Sequence, residues 1–280
     1  MHMSQQRHVL GLALVLAMSA CGDDGNATAD APATPDAPAA APTVKLSSEG
    51  TLGARLVDKD GKSLYFFAND TAGANASACA APCAMWPTFD VQSPTVGEGL
   101  TASDFSRFDK GGGVFQATWK GRPLYYFAND TAAGATGGEG TGGRWFVARA
   151  YNLFFAASAT ITPSGGTAAN APFLTSGAGR TLYAHDTDTR GAGATAPESK
   201  CADPCTAWPL WEKPAALTTP VVPSTITAAD LTSFTRQGKL QFVYKGWPLY
   251  FYGTDAEPGQ VAGASVATWH PLSGGFSGTF

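Results

Sequence analysis

The chain has 280 residues, of which 14% are charged and 11% are aromatic, and it contains 33 glycines. Tight turns and aromatic-rich strands give such a composition, whereas helical bundles do not. The formal net charge of −4 argues against a nucleic-acid-binding protein, because such proteins usually carry a basic surface. We therefore expect an all-β protein with no nucleic-acid partner.

The first 20 residues are typical of a secretory signal peptide. Arg7 and His8 precede an apolar run over residues 9–17, and small residues precede Cys21. The apolar run is too short to span a bilayer as a mature helix. Residues 17–21 read Ala-Met-Ser-Ala-Cys and resemble a bacterial lipobox. We expect Cys21 to be acylated and to anchor the protein to a membrane; an ordinary signal peptide with a nearby cysteine is the alternative.

A disordered tether is predicted for residues 21–47. Residues 22–43 consist mainly of alanine, proline and aspartate and include no large apolar side chain. Such a segment cannot bury enough surface to offset its ordering entropy. Its aspartates could be interpreted as a metal site, but a solvated spacer is the interpretation we favour.

The five cysteines fit the lipid anchor. If Cys21 is acylated, four remain, and an exported protein meets an oxidising compartment. Three connectivities are possible, and the spacing favours Cys79 with Cys83 and Cys201 with Cys205. The alternative is a metal or redox site, but a tetrathiolate zinc site would need two distant loops to meet.

One motif, Leu-Tyr-x-aromatic-x-x-Asp, occurs four times, with histidine in place of the aromatic residue in the third copy. Its recurrence identifies an internal repeat. Each copy contributes a tyrosine, an aromatic residue or histidine, and an aspartate. In chain order, the four copies contain Tyr65, Phe67 and Asp70; Tyr125, Phe127 and Asp130; Tyr183, His185 and Asp188; and Tyr250, Tyr252 and Asp255.

Other landmarks recur only in every second copy. The element Cys-x-x-x-Cys-x-x-Trp-Pro begins at Cys79 and again at Cys201, an offset of 122 residues. The chain is thus a duplicated pair of units. We assign residues 48–159 to the first repeat pair and residues 160–280 to the second. The predicted fold is all-β, a tandem duplication of a two-repeat domain built from antiparallel hairpins; a propeller-like ring of four units is the alternative.

The repeated motif, the Cys-x-x-x-Cys-x-x-Trp-Pro element and the lipidation signal together resemble a bacterial family of predicted lipoproteins, the secreted repeat of unknown function. The resemblance extends from Gly50 to the C-terminus. It implies export but no activity, since none is established for the family. The third copy departs from the family pattern at His185.

Each motif is predicted to lie on the returning strand of a hairpin. In the first unit, residues 54–58 and 63–68 are joined through Asp60-Gly61, a tight-turn sequence. Strand alternation places the tyrosine and the second aromatic residue on one face, packed into a core. The aspartate follows the strand, where it would accept hydrogen bonds from the next backbone amides in an Asx-turn; calcium binding or catalysis is the alternative. Thr101-x-x-Asp104 and Thr227-x-x-Asp230 each resemble a capping box with aspartate in place of glutamate and predict a short helix.

Signatures of enzymes are absent from the sequence, and we predict neither catalysis nor a cofactor. His185, Asp186 and Asp188 are weak candidates for a divalent-cation site, particularly if His270 came close. We favour a half-exposed histidine that replaces an aromatic residue.

Three classes of function follow. The favoured one is a non-catalytic lipoprotein of the cell envelope, anchored at the outer membrane or cell surface, whose repeats form a structural or binding module for an unidentified protein or glycan. The others are a metal-binding or redox-accessory lipoprotein, and a hydrolase of envelope polymers, which would need a carboxylate pair in an open cleft.

Overall fold

The computed structural model describes residues 41–80, 83–157, 161–162, 164, 172–202 and 205–280. All regular elements in these ranges are short β-strands or single 3-10 turns, which confirms the predicted all-β class. None of the described helical turns is long and apolar enough to cross a membrane. The predicted signal peptide, Cys21 and the tether up to residue 40 lie outside the described residues.

Seven strands precede residue 150, and they form three small antiparallel sheets. Strand β1 pairs with β2, β3 pairs with β7, and β4, β5 and β6 form a three-stranded sheet. The strands are β1 (Val44–Ser47), β2 (Arg55–Asp58), β3 (Tyr65–Phe67), β4 (Phe105–Gly111), β5 (Val114–Trp119), β6 (Arg122–Pro123) and β7 (Trp145–Val147).

The described strands after residue 150 repeat this topology. Strand β8 pairs with β9, β10 with β14, and β11, β12 and β13 form the three-stranded sheet, so the predicted tandem duplication of antiparallel hairpin units is confirmed. The strands are β8 (Leu153–Ala157), β9 (Pro172–Ser176), β10 (Tyr183–His185), β11 (Leu231–Arg236), β12 (Lys239–Tyr244), β13 (Trp247–Pro248) and β14 (Trp269–Pro271).

Two boundaries differ from those drawn on the sequence. Strand β1 begins at Val44, a fully buried residue, so ordered structure starts inside the predicted tether. Its pairing with β2 brings Leu46 opposite Leu56, which gives the segment an apolar partner that composition alone did not indicate. Strand β8 precedes the predicted boundary at residues 159 and 160, yet it pairs with β9 of the second repeat pair.

Residues Ala40–Phe280 form one compact unit, and its main core contains side chains from both pairs. Phe66 of the first pair, for example, packs edge-on against Phe154 at 5.7 Å between ring centroids, and Phe154 lies on β8, the strand that pairs with β9 of the second pair. The main core is therefore shared between the pairs, and among the described residues only the two smaller aromatic clusters contain side chains of a single pair. The four-unit ring is not confirmed, because the tyrosine segments join two by two, Tyr65 with Tyr125 and Tyr183 with Tyr250.

The hairpins β5–β6 and β12–β13 each turn through a lysine and a glycine that both have positive φ. These turns are Lys120-Gly121 and Lys245-Gly246, and Gly121 O accepts a hydrogen bond from Gly73 N at 2.8 Å. A Cβ at Gly121 would lie 2.6 Å from that nitrogen, so glycine is required both for the conformation and for the close approach.

The predicted short helices are single 3-10 turns, Ala102–Asp104 and Ala228–Asp230. The capping box does not form, because neither Thr101 nor Thr227 makes a side-chain capping hydrogen bond. Each turn passes directly into a strand, so one turn of helix is all that the chain path allows.

Candidate functional site

The tyrosines and aspartates of the repeated motif bond across copies. In the first pair, Tyr65 Oη donates to Asp130 Oδ2 of the second copy, and Tyr125 Oη donates to Asp70 Oδ2 of the first copy at 2.7 Å. The backbones of Tyr65 and Tyr125 also exchange two N–H···O bonds of 2.8 and 3.1 Å. We call each reciprocal pair of tyrosine–aspartate bonds a clasp.

The second pair contains the same clasp. Tyr183 Oη donates to Asp255 Oδ2 at 2.6 Å, and Tyr250 Oη donates to Asp188 Oδ2 at 2.7 Å. Tyr183 and Tyr250 exchange two backbone hydrogen bonds, both of 2.9 Å. Each pair is therefore joined by its motifs across a local pseudo-two-fold relation.

The second oxygen of each aspartate closes a loop. Asp70 Oδ1 accepts from Ala78 N at 2.7 Å, eight residues further along the chain, instead of from the next amides as an Asx-turn would require. The aspartates therefore do accept backbone hydrogen bonds, as predicted, but from distant amides. The other three bonds run from Gly137 N to Asp130 Oδ1, Lys200 N to Asp188 Oδ1 and Ala262 N to Asp255 Oδ1.

The four clasp aspartates are at most 6% exposed, and burial changes the protonation of two of them, Asp70 and Asp188. Loss of hydration raises the pKa of Asp70 to about 6 and raises the pKa of Asp188. It also raises the pKa of the tyrosines, Tyr125 and Tyr250 among them, so their hydroxyls stay protonated and donate. The clasp carboxylates are thus occupied by internal donors on both oxygens.

Four aromatic rings stack above the first clasp. Phe67 lies on Trp145 at 4.2 Å between centroids, Trp145 on Trp86 at 3.9 Å with parallel planes, and Trp86 on Phe127 at 4.6 Å. Tyr65 packs its ring edge against Trp86 at 5.4 Å. Tyr65 is buried and Phe67 half-buried in the same aromatic cluster, so the prediction that the tyrosine and the second aromatic residue share a face is correct.

Four rings of the second pair stack in the same order, with a histidine and a tyrosine at the two ends in place of phenylalanines. His185 lies on Trp269 at 4.4 Å, Trp269 on Trp208 at 3.7 Å, and Trp208 on Tyr252 at 4.4 Å. The imidazole therefore replaces the end ring that Phe67 provides in the first stack. This is the favoured interpretation of His185 from the sequence, an aromatic replacement.

The cysteines pair as the spacing predicts. Disulfides join Cys79 to Cys83 and Cys201 to Cys205, and the paired Cα atoms are 5.8 and 5.7 Å apart. Each disulfide packs against its own aromatic cluster, beside Trp86 or Trp208. The four sulfurs are therefore paired within their own loops, and they do not form a tetrathiolate site.

The weak metal candidates separate into two unconnected contacts. His185 Nδ1 lies 3.6 Å from Asp188 Oδ1, while Asp186 Oδ2 lies 3.2 Å from His270 Nε2. Asp188 is already held by Tyr250 and Lys200. Among the described residues, no group of three or more histidine, cysteine or carboxylate side chains could hold a metal ion.

A cavity of about 1040 Å³ lies between the two repeat pairs. Trp119 and Arg149 line it from the first pair, and Ser176, Arg180 and Trp211 line it from the second pair. These residues were not predicted from the sequence. The one available signal was Trp119, which precedes a Lys-Gly turn in the position that Tyr244 takes in the second pair.

Comparisons with known proteins agree with the repeat assignment. The model of a family described as "secreted repeat of unknown function" matches residues 47–89, 106–149 and 232–273. These stretches contain the first, second and fourth copies of the motif, and the third copy, with His185, lies outside them. Searches of curated proteins and of solved structures gave no match. Over these three stretches, the chain is similar to the family of the secreted repeat of unknown function.

Proposed function

We propose that the protein is a non-catalytic lipoprotein of the cell envelope whose repeats form a rigid binding module. The family description names a secreted repeat and no reaction, which is consistent with this role. The lipid anchor on Cys21 and the envelope location are the parts of the proposal that go further.

The reciprocal clasp is the observation that carries the proposal. Acid–base catalysis needs a carboxylate that can reach a substrate, but Asp70 is 1% exposed and accepts from Tyr125 and Ala78 within the protein. The other three motif aspartates are bonded in the same way. The residues that recur most regularly therefore stabilise the fold, and an exported framework of this kind serves to present a surface.

The anchor is tested on the full chain expressed in a bacterial host. We expect the mature protein to fractionate with membranes and its N-terminal peptide to carry acyl chains on Cys21, whereas Cys21→Ser loses the acyl mass. Ser19→Ala, a change two residues away, is the matched control and keeps it. A native protein without acyl chains at Cys21 contradicts the proposed anchor.

A further inference from the structure

The cavity between the repeat pairs has an aromatic floor. Phe66 and Trp119 of the first pair lie nearly parallel at 6.0 Å between centroids, and Trp211 and Phe242 of the second pair lie 4.1 Å apart. All four side chains belong to the main core. Aromatic faces carry negative charge density and attract the slightly positive C–H groups on the flat side of a sugar ring.

Cationic side chains rest on the rings at the edge of this floor. Arg180 lies over Phe251 at 4.1 Å, and Arg149 lies over Tyr151 at 5.7 Å from the ring centroid. In the described part of the chain, neither guanidinium forms a salt bridge. Lys120, which lies over Trp119 at 5.4 Å from the ring centroid, is 3.8 Å from Asp104.

The charge of the cavity opposes that of the whole chain. Its lining contains four basic and two acidic side chains, while the chain has 18 basic and 22 acidic residues. An anion therefore finds a locally positive site on an acidic protein. The charged lining residues are Lys120, Arg122, Arg149, Arg180, Asp104 and Glu212.

Three residues of the cavity wall also have buried polar atoms without a hydrogen-bond partner. These atoms are Trp119 Nε1, Arg149 Nε and Ser176 Oγ, and the side chains of Trp119 and Ser176 are 4% and 7% exposed. Buried donors are almost always paired in folded proteins. Two of the three, Trp119 Nε1 and Arg149 Nε, can only donate, so a ligand that paired with them would offer acceptor oxygens.

We infer that this cavity binds an acidic oligosaccharide. The sugar rings would lie against the aromatic floor, and a carboxylate would pair with Arg149 and Arg180. Exposed hydroxyls at the rim, from Ser103 and Ser106, suit a polyhydroxylated ligand better than an aromatic carboxylate, which has no hydroxyl groups to match them. The inference deepens the proposed function by naming the ligand class for the binding module.

Calorimetric titration of the purified full chain tests the inference. The probes are trigalacturonic acid, an acidic disaccharide containing N-acetylmuramic acid, and maltotriose as a neutral ligand. We expect at least one acidic probe to bind, to quench tryptophan fluorescence and to bind at least about tenfold more tightly than maltotriose. Arg180→Gln and Arg149→Gln should each weaken that binding about tenfold.

Arg107→Gln is the matched control, because Arg107 also stacks on a ring, Phe115 at 4.5 Å, but lies outside the cavity. It should bind as the native protein does. Using both arginine variants keeps the test valid if one fails to fold. Absence of binding to both acidic probes, equal binding of maltotriose, or native affinity in the folded cavity variants would overturn the inference. The binding results do not depend on whether Cys21 is acylated. A failure of the ligand inference can therefore be told apart from a failure of the lipid-anchor proposal, which the mass of the N-terminal peptide tests.

Discussion

The two repeat pairs share one framework and differ at its ends. Both contain a reciprocal tyrosine–aspartate clasp, a parallel pair of tryptophans and a disulfide beside them. The stack of the first pair ends in Phe67 and Phe127, and that of the second in His185 and Tyr252. The central positions, which hold the copies together, are identical in the two pairs, whereas the ends vary in polarity.

The pairs also differ in the residue that follows the Lys-Gly turn and contacts a neighbouring segment of the chain. After the Lys-Gly turn, the first pair has Arg122, whose Nη1 donates to Phe155 O at 3.1 Å next to the second pair. The second pair has Trp247 there, and its Nε1 donates to Gly278 O near the C-terminus. The duplicated frameworks have thus diverged in the side chains that contact neighbouring segments.

The largest expected effect is loss of a central stacked tryptophan. Trp86→Ala and Trp208→Ala should each lower the free energy of unfolding by about 3–5 kcal/mol, because each removes a buried ring that contacts three others. Denaturant unfolding monitored by far-UV circular dichroism measures the loss. Destabilisation by only one of the two variants would show that the stacks are not equivalent.

The next effect is a pH dependence from the first clasp. Asp70 has a folded pKa of about 6, above its ordinary value near 3.9, so the folded state binds the proton more strongly than the unfolded state does. Stability should therefore decrease as pH rises from about 4 to about 6, by no more than about 3 kcal/mol. Unfolding curves at intervals across this range measure the slope.

Asp70→Asn should remove most of that slope, because the amide does not titrate. Asp60→Asn, which changes an exposed carboxyl, is the control and should retain it. Stability that increases over the same pH interval in the native protein would contradict the raised pKa.

Removal of one clasp hydroxyl should have a smaller effect. Tyr125→Phe and Tyr250→Phe each leave a buried carboxylate with one donor fewer, at a cost of about 1–2 kcal/mol. Tyr252→Phe is the matched control, since the first stack already has Phe127 at that position, and it should unfold like the native chain. Equal stability of the three variants would argue against a stabilising clasp.

The smallest effect concerns the ends of the stacks. His185→Phe gives the second stack the same residue as the first, and it should change stability by less than about 1 kcal/mol, since ring stacking on Trp269 is retained. Zinc titration of the native chain and of this variant should give equal uptake. Stoichiometric zinc lost on substitution would restore the metal interpretation of His185.

Local pattern was sufficient for the fold class and for many of the contacts. The tight turn at Asp60-Gly61, the cysteine pairs and the shared face of Tyr65 and Phe67 each depend on residues close in sequence. Periodicity and turn chemistry therefore predict them.

The clasp partners were not predictable in this way. Tyr65 and Asp130 are 65 residues apart, and nothing in one copy indicates that its aspartate serves the other. The cavity was missed for the same reason, because Trp119 and Arg180 meet only when the two pairs pack together. Long-range pairing depends on the packed fold, which a single copy of the motif does not encode.

A double-mutant cycle tests the crossed pairing most directly. Tyr65→Phe, Asp130→Asn and the double variant are unfolded in denaturant, beside a second cycle that combines Tyr65→Phe with Asp70→Asn within one copy. We predict a coupling free energy of about 1–3 kcal/mol for Tyr65 with Asp130 and a clearly smaller one for Tyr65 with Asp70. Equal coupling in the two cycles, or stronger coupling within the copy, would contradict the clasp.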